Sequence, residues 1–201
     1  MNGVGTTHVQ SGESTSTSIT PTLTRTIVLV GLMGAGKSSI GRRLAQRLGV
    51  AFVDADTEIE RAAGRTIPEI FEAFGESAFR DGERRVIRRL LEEPVVRILA
   101  TGGGAYMDAE TRHVIADNAI ALWLKADLDT LFERVSRRSN RPLLKTDDPK
   151  ATLQNLMDRR YPVYANADII VETWRVPIET TVENVYQAVC DYLAKQESFT
   201  S

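Results

Sequence analysis

Gly31-Leu32-Met33-Gly34-Ala35-Gly36-Lys37-Ser38 has the eight-position pattern of a phosphate-binding loop, with Lys-Ser at its close. The glycines let the backbone curl with its N–H groups turned toward an anion. A helix starting at that point adds partial positive charge. Lys37 is placed to reach the β- and γ-phosphates of a nucleotide, and the Ser38 hydroxyl to enter a Mg²⁺ shell.

Further along stand Asp54 and Asp56. Read as extended chain, positions two apart point the same way. Beside a phosphate site two carboxylates can divide two tasks. One holds Mg²⁺ through its waters, and the other orients an acceptor hydroxyl and takes its proton. The plainer role for Asp56 is to cap a helix beginning near Thr57. Arg80 and Glu83 are three apart and share a helix face, either as a surface ion pair or with Glu83 aiming Arg80 at an anionic substrate. Arg160 precedes Tyr161-Pro162, where a helix is expected to stop. Its guanidinium suits a helix dipole or a bidentate grip on a carboxylate. Arg134, Arg137, Arg138 and Arg141 lead into Pro142-Leu143-Leu144. A mobile cation on a polar loop there would meet the charge that spreads over a transferring phosphoryl group, and the loop would exclude water.

The elements that must position these groups alternate. Residues 26–30 are a β-branched apolar run, as in a buried parallel strand. A helix over 37–48 follows, with Ile40, Leu44 and Leu48 on one face and Gly49 ending it. Residues 51–53 read as a second strand closing on Asp54. Thr66 to Glu69 form a capping box, with helix continuing to about residue 92. Residues 95–100 and 119–124 read as the third and fourth strands. Asp127 caps a helix to about residue 138, residues 139–149 form a polar loop, and another helix spans about 150–160. A fifth strand over 168–171 and a helix over 178–195 close the chain. Strand–helix alternation predicts an α/β fold, a five-stranded parallel sheet flanked by helices, with its site at the carboxyl ends of the strands.

Composition limits the rest. The 201 residues carry 25 Lys and Arg against 27 Asp and Glu, a net charge of −2, so neither nucleic acid nor an anionic membrane is an expected partner. At 42% hydrophobic there is material for one packed core. The single cysteine, Cys190, makes neither an internal disulfide nor a zinc cluster and reads as a buried apolar residue in a reducing, cytoplasmic setting. No secretory signal and no apolar run near ~20 residues is seen. Residues 1–24, rich in Ser, Thr and Gly, read as a disordered tail, and 196–201 as a second tail around a domain of 25–195.

From residue 26 to 193 the chain resembles the shikimate kinases. The likeness is carried by the loop 31–38, Asp54-Ala55-Asp56, Phe79-Arg80 with Glu83, Gly102-Gly103-Gly104, Arg141-Pro142-Leu143-Leu144 and Arg160-Tyr161-Pro162-Val163-Tyr164. The resemblance implies a P-loop NTPase of nucleoside-monophosphate-kinase-like fold, with a substrate-binding region over about 57–92 and a lid over about 138–150. It implies a monomer that uses ATP and Mg²⁺ to phosphorylate the shikimate 3-hydroxyl in aromatic amino-acid biosynthesis. By position, Gly34, Ala35, Gly36, Lys37, Ser38, Ser39, Arg137 and Arg141 would hold ATP, with Ser38 and Asp54 on Mg²⁺. Asp56, Arg80, Gly102, Gly103, Gly104 and Arg160 would hold shikimate. Lys37, Asp56 and Arg141 would be the catalytic groups, and residues 173–177, including Trp174, would lie over the adenine. A gluconate kinase, an adenylate-type kinase and a non-transferring ATP-binding module are the other readings.

Overall fold

The computed structural model describes residues 22–137 and 148–200, with side chains through residue 198. The β-branched run becomes β1 (Thr26–Val30), buried at every position and central in the sheet. Parallel to it lie β3 (Arg97–Ala100) on one side and β4 (Ala119–Ala126) on the other, with Leu29 opposite both Ala100 and Leu122. Outside these run β2 (Ala51–Asp54) and β5 (Ile169–Thr173), giving the all-parallel order β2-β3-β1-β4-β5. The chain leaves β1 toward one edge and β4 toward the other, so a crevice opens above their carboxyl ends.

Seven helices cover the two faces among the described residues: α1 (Lys37–Leu48), α2 (Ala55–Ala63), α3 (Ile67–Glu92), α4 (Ala109–Asn118), α5 (Leu128–Ser136), α6 (Pro149–Tyr164) and α7 (Ile178–Thr200). Ile40, Leu44 and Leu48 are the buried face of α1, as their spacing predicts. Asp54, Thr66, Asp108, Asp127 and Asp148 each cap a helix, from α2 to α6 in order, by accepting from a backbone N–H. The capping box of Thr66 and Glu69 is complete in both directions.

Several boundaries differ from expectation, each for a local reason. The third strand starts at Arg97, because the chain still turns at Glu93–Val95 and Arg97 folds back onto Val95 O and Glu93. The fourth runs on to Ala126 because β5 extends to Thr173 and pairs with it. Asp168 precedes the fifth strand and accepts from Ala121 N–H. The helix α6 runs through Pro162 to Tyr164: Tyr161 and Tyr164 pack against Trp123, and that packing outweighs one missing N–H. The helix α4 was not anticipated, although Asp108 three residues before Thr111 is a capping signal. At the ends, Leu23 is buried in the core and α7 continues to Thr200, so ordered structure reaches into both expected tails. Cys190 is half-buried on α7 rather than buried. Residues 1–21 and 138–147, and with them Arg138, Arg141 and most of the expected lid, lie outside the described residues.

The helix α3 bends at Gly75, whose φ of 80° and ψ of 176° belong to a region that only glycine occupies readily. Beyond the bend, Arg84 and Arg88 tie α3 to Asp108 and Glu110 on α4. A Cβ at Gly75 would meet nothing within 4 Å, so substitution there acts through the backbone alone. Gly75→Ala is expected to lower stability by about 1–3 kcal/mol in urea unfolding; an unchanged midpoint would mean that the bend is not fixed.

Candidate active site

At the end of β1 the chain turns through Gly31, Gly34 and Gly36, all at positive φ, and enters α1. Gly36 stands at the N-cap of α1 with no side-chain cap, and no acid follows in the first turn. The first N–H groups of α1 therefore face outward unsatisfied by any side-chain cap, which is the electrostatic requirement for an anion site. Lys37 Nζ arches over the loop and donates to Gly31 O at 2.7 Å and Leu32 O at 3.0 Å.

Ser38 Oγ donates to Asp54 Oδ2 at 2.7 Å, and Asp54 Oδ1 accepts from Asp56 N–H at 3.2 Å. This corrects the extended-chain picture of the two aspartates. The strand ends at Asp54, which is itself the cap of α2, and Asp56 sits in the first helical turn. Both still line one cavity of about 530 Å³ with Gly34, Gly36, Lys37, Ser38 and Ser39. Ala35 is fully buried behind the loop.

The run after β3 sets the other wall. A Cβ on Gly102 would lie 2.8 Å from Glu83 Oε1 and 3.1 Å from Asp56 Oδ1. On Gly103 it would lie 3.3 Å from Arg160 Nη1 and 3.4 Å from Gly31 O. On Gly104 it would lie 2.6 Å from Arg80 Nη1. Side chains from α2, α3 and α6 thus close on three successive backbone positions, and the middle one touches the phosphate loop. Arg80 and Arg160 therefore stand on the same side of the sheet as Lys37, as their expected roles require.

Arg80 donates to Glu83 Oε2 at 2.7 Å and also reaches Glu76. Glu83 is 2% exposed, and its Oε1 has no hydrogen-bond partner among the described residues. Burial pushes the Glu83 carboxyl up, against the pull of the Arg80 guanidinium. For Arg80 burial acts downward, but its hydrogen bond and charge pairing with Glu83 leave it raised. The pair is therefore an oriented cation standing on a costly buried acid, not the surface ion pair that spacing also allowed. Arg160 donates from Nη1 to Gly103 O at 2.8 Å.

At the edge of the cavity beside α5 the arginines separate. Arg137 is exposed, follows the end of α5 and pairs with Glu133, although it does border the cavity. Arg134 is half-buried, lines the same cavity, and donates to Gly34 O at 3.5 Å and Trp174 O at 3.0 Å. Burial holds its pKa below the ordinary value. Val176, Ile178 and Thr181 complete this edge, so the segment expected over the base does border the cavity, while the Trp174 side chain is exposed. Sequence reasoning did not single out Arg134 from its neighbours, nor Thr101, which lines the cavity and donates to Leu29 O at 3.0 Å. Its signal was available, since Thr101 is the polar residue ending an apolar strand.

A parallel sheet with a P-loop after its first strand, and with the lining just described, defines a P-loop phosphotransferase of the small-molecule kinase type. The family model "Shikimate kinase" matches residues 33–190, and the chain belongs to that family. The shikimate kinase of Rhodopseudomonas palustris is 56% identical over 169 residues, 84% of this chain and 83% of that one. That of Caulobacter vibrioides is 56% identical over 174 residues, 87% and 86% of the two chains. The solved shikimate kinase from Acinetobacter baumannii in complex with shikimate superposes with a TM-score of 0.79 at 37% identity, over 85% of this chain and 95% of that one. A gluconokinase from Sinorhizobium meliloti, at 18% identity and a TM-score of 0.57, shares the fold.

Arg80→Ala removes the partner of a buried carboxylate. It is expected to cost about 2 kcal/mol at neutral pH, less than a fully buried pair because Arg80 is partly exposed. Glu83 has a folded pKa raised above its ordinary value, so the loss is largest where the acid is ionised. The deficit should shrink as pH falls through that raised value toward 4.5. Urea unfolding of both proteins between pH 5 and 8 checks this; a deficit that grows toward acid would contradict the buried-acid account.

Proposed function

We infer that the chain transfers the γ-phosphoryl group of ATP to the 3-hydroxyl of shikimate, giving ADP and shikimate 3-phosphate in the route to aromatic amino acids. One observation supports this reading most: Arg80, Arg160 and Asp56 close on residues 102–104, and Gly103 lies against the phosphate loop. Shikimate is a small ring bearing one carboxylate and three hydroxyls. Two guanidiniums suit the carboxylate, a carboxylate suits the hydroxyls, and side-chain-free backbone at Gly102, Gly103 and Gly104 lets the ring come close.

In this reading the N–H groups from Gly34 to Ser39 and the Lys37 ammonium hold the β- and γ-phosphates. Val176 and Ile178 cover the base, and Arg134 takes the flanking position with Arg137 at the rim. Asp56 orients the 3-hydroxyl and accepts its proton as the hydroxyl oxygen bonds to the γ-phosphorus and the β–γ bridge breaks, leaving ADP. Lys37 and Arg141 offset the charge that spreads over the transferring group; Arg141 lies outside the described residues. The oxygen donors Ser38 and Asp54, 2.7 Å apart, fit Mg²⁺. Among the described residues no larger cluster of acids or histidines forms a cage, and Mg²⁺ shared with phosphates needs none. When bound, Mg²⁺ supplies charge neutralisation at the phosphates. We take the chain to act as a monomer. Among the described residues no helix is long and apolar enough to cross a membrane, and we place the enzyme with its ATP supply in the cytoplasm.

Offered Mg-ATP with shikimate, gluconate or AMP, the protein should release ADP rapidly with shikimate alone. Release with gluconate or AMP in its place would reject the assignment, and no release with any of the three would favour a binding module. Lys37→Met should lower kcat at least about a hundredfold at unchanged far-UV circular dichroism. Gly104→Ala, which drives a methyl into the Arg80 guanidinium, should raise the KM for shikimate about tenfold while the KM for ATP holds. An effect on ATP instead would detach Arg80 from the acceptor.

A further inference from the structure

We propose that Tyr164 is a positioning residue for the acceptor carboxylate, its phenol locking the Arg160 guanidinium and the Gly103 carbonyl into one hydrogen-bonded unit. This rests on the acceptor reading above. Tyr164 is fully buried at the last turn of α6, one turn after Arg160 and on the same helix face. Its hydroxyl donates to Gly103 O, the carbonyl that Arg160 Nη1 reaches at 2.8 Å. The two side chains therefore share one acceptor oxygen. The phenol fixes the carbonyl, and the carbonyl in turn fixes the guanidinium.

The chemical identity of this partner matters. Arg80 is aimed by two acids, Glu83 and Glu76, which orient it but also spend part of its charge. Arg160 is aimed by a backbone carbonyl that the phenol holds in place, and among the described residues no carboxylate forms an ion pair with it. A neutral partner orients without neutralising, so the Arg160 cation is left to attract an incoming carboxylate. Burial raises the Tyr164 pKa, which keeps the phenol a proton donor. Its ring cannot swing aside, since Tyr106, Trp123 and Tyr161 stand with centroids 6.3, 5.8 and 6.2 Å away. Trp123 in turn comes within 3.5 Å of where a Cβ on Gly31 would be, so the aromatic cluster also backs the phosphate loop.

The test is Tyr164→Phe, which keeps the ring and deletes the hydroxyl. Tyr106→Phe is the control, because that hydroxyl reaches Asn166 O at 3.4 Å in the same cluster and is not bonded to Gly103 or Arg160. Wild-type turnover of shikimate is measured first, and its absence would fail the acceptor reading itself. Given turnover, Tyr164→Phe is expected to raise the KM for shikimate about fivefold, the worth of one net hydrogen bond, with kcat and the KM for ATP within about twofold. Tyr106→Phe should leave all three near wild type. In an Arg160→Gln background, Tyr164→Phe should add less than about twofold to the KM for shikimate. The proposal is overturned by an unchanged KM in Tyr164→Phe, by equal losses toward ATP and shikimate, or by the same fivefold cost with Arg160 already replaced.

Discussion

Residues 102–104 are crowded by side chains from three helices, and the rest of the site is arranged around that fact. Glu83 and Asp56 crowd the first position, Arg160 the second and Arg80 the third. Each comes from a helix far off in sequence, so the glycine run is where α2, α3 and α6 are brought into register. The run is itself held by the sheet. Thr101 N–H and Oγ both donate to Leu29 O, at 3.2 and 3.0 Å, continuing the β1–β3 ladder beyond its last paired residues. Because β1 leads directly into the phosphate loop, the separation between that loop and the glycine run follows from one strand pairing. On the proposed reading, donor and acceptor sides are spaced by backbone hydrogen bonds rather than by flexible side chains, which is the arrangement in-line transfer between two bound molecules needs.

The cost of this arrangement falls on Glu83. An acid 2% exposed, with one oxygen unpartnered among the described residues, is not explained by stability, since an apolar residue in its place would avoid the desolvation penalty. What it secures explains it: the Arg80 guanidinium, three residues away on the same helix, is held by its hydrogen bond to Glu83. Arg84 and Arg88 are bound to α4 on the stretch of helix that carries Glu83. The bend at Gly75 lies on the other side of Arg80, so this part of α3 is seated against α4 while the helix before the bend departs in a new direction.

Legibility in the sequence followed the range of the interactions. The phosphate loop, the capping box at Thr66 and the apolar face of α1 are local patterns, and each appears where periodicity and cap chemistry put it. The strands were found because parallel strands buried on both faces read as apolar runs, but their ends moved by up to two residues, because neighbouring strands decide where pairing stops. Pro162 misled, since a rule about one missing N–H cannot see three aromatic rings packing from β4 and α6. The aspartates were correctly drawn to one cavity for the wrong local reason: the chain becomes helical between them. Arg134 could not be separated from Arg137 by spacing, because what distinguishes them is burial against the phosphate loop on one side and a surface pairing with Glu133 on the other.

The capping pattern shows how closely fold and site are joined. From α2 to α6 each helix begins on a side chain that accepts one of its exposed N–H groups. The helix α1 begins on Gly36 without one, although it directly follows the central strand. A missing cap costs about 1 kcal/mol. At the end of β1 it leaves those N–H groups open, and on the proposed reading phosphate acts as the cap. The nearby acid, Asp54, is engaged with Ser38 Oγ and the start of α2. On the proposed reading that arrangement keeps its negative charge where a cation shared with phosphate can use it. The same few oxygens and N–H groups therefore decide where α1 and α2 start and which charges the cavity accepts.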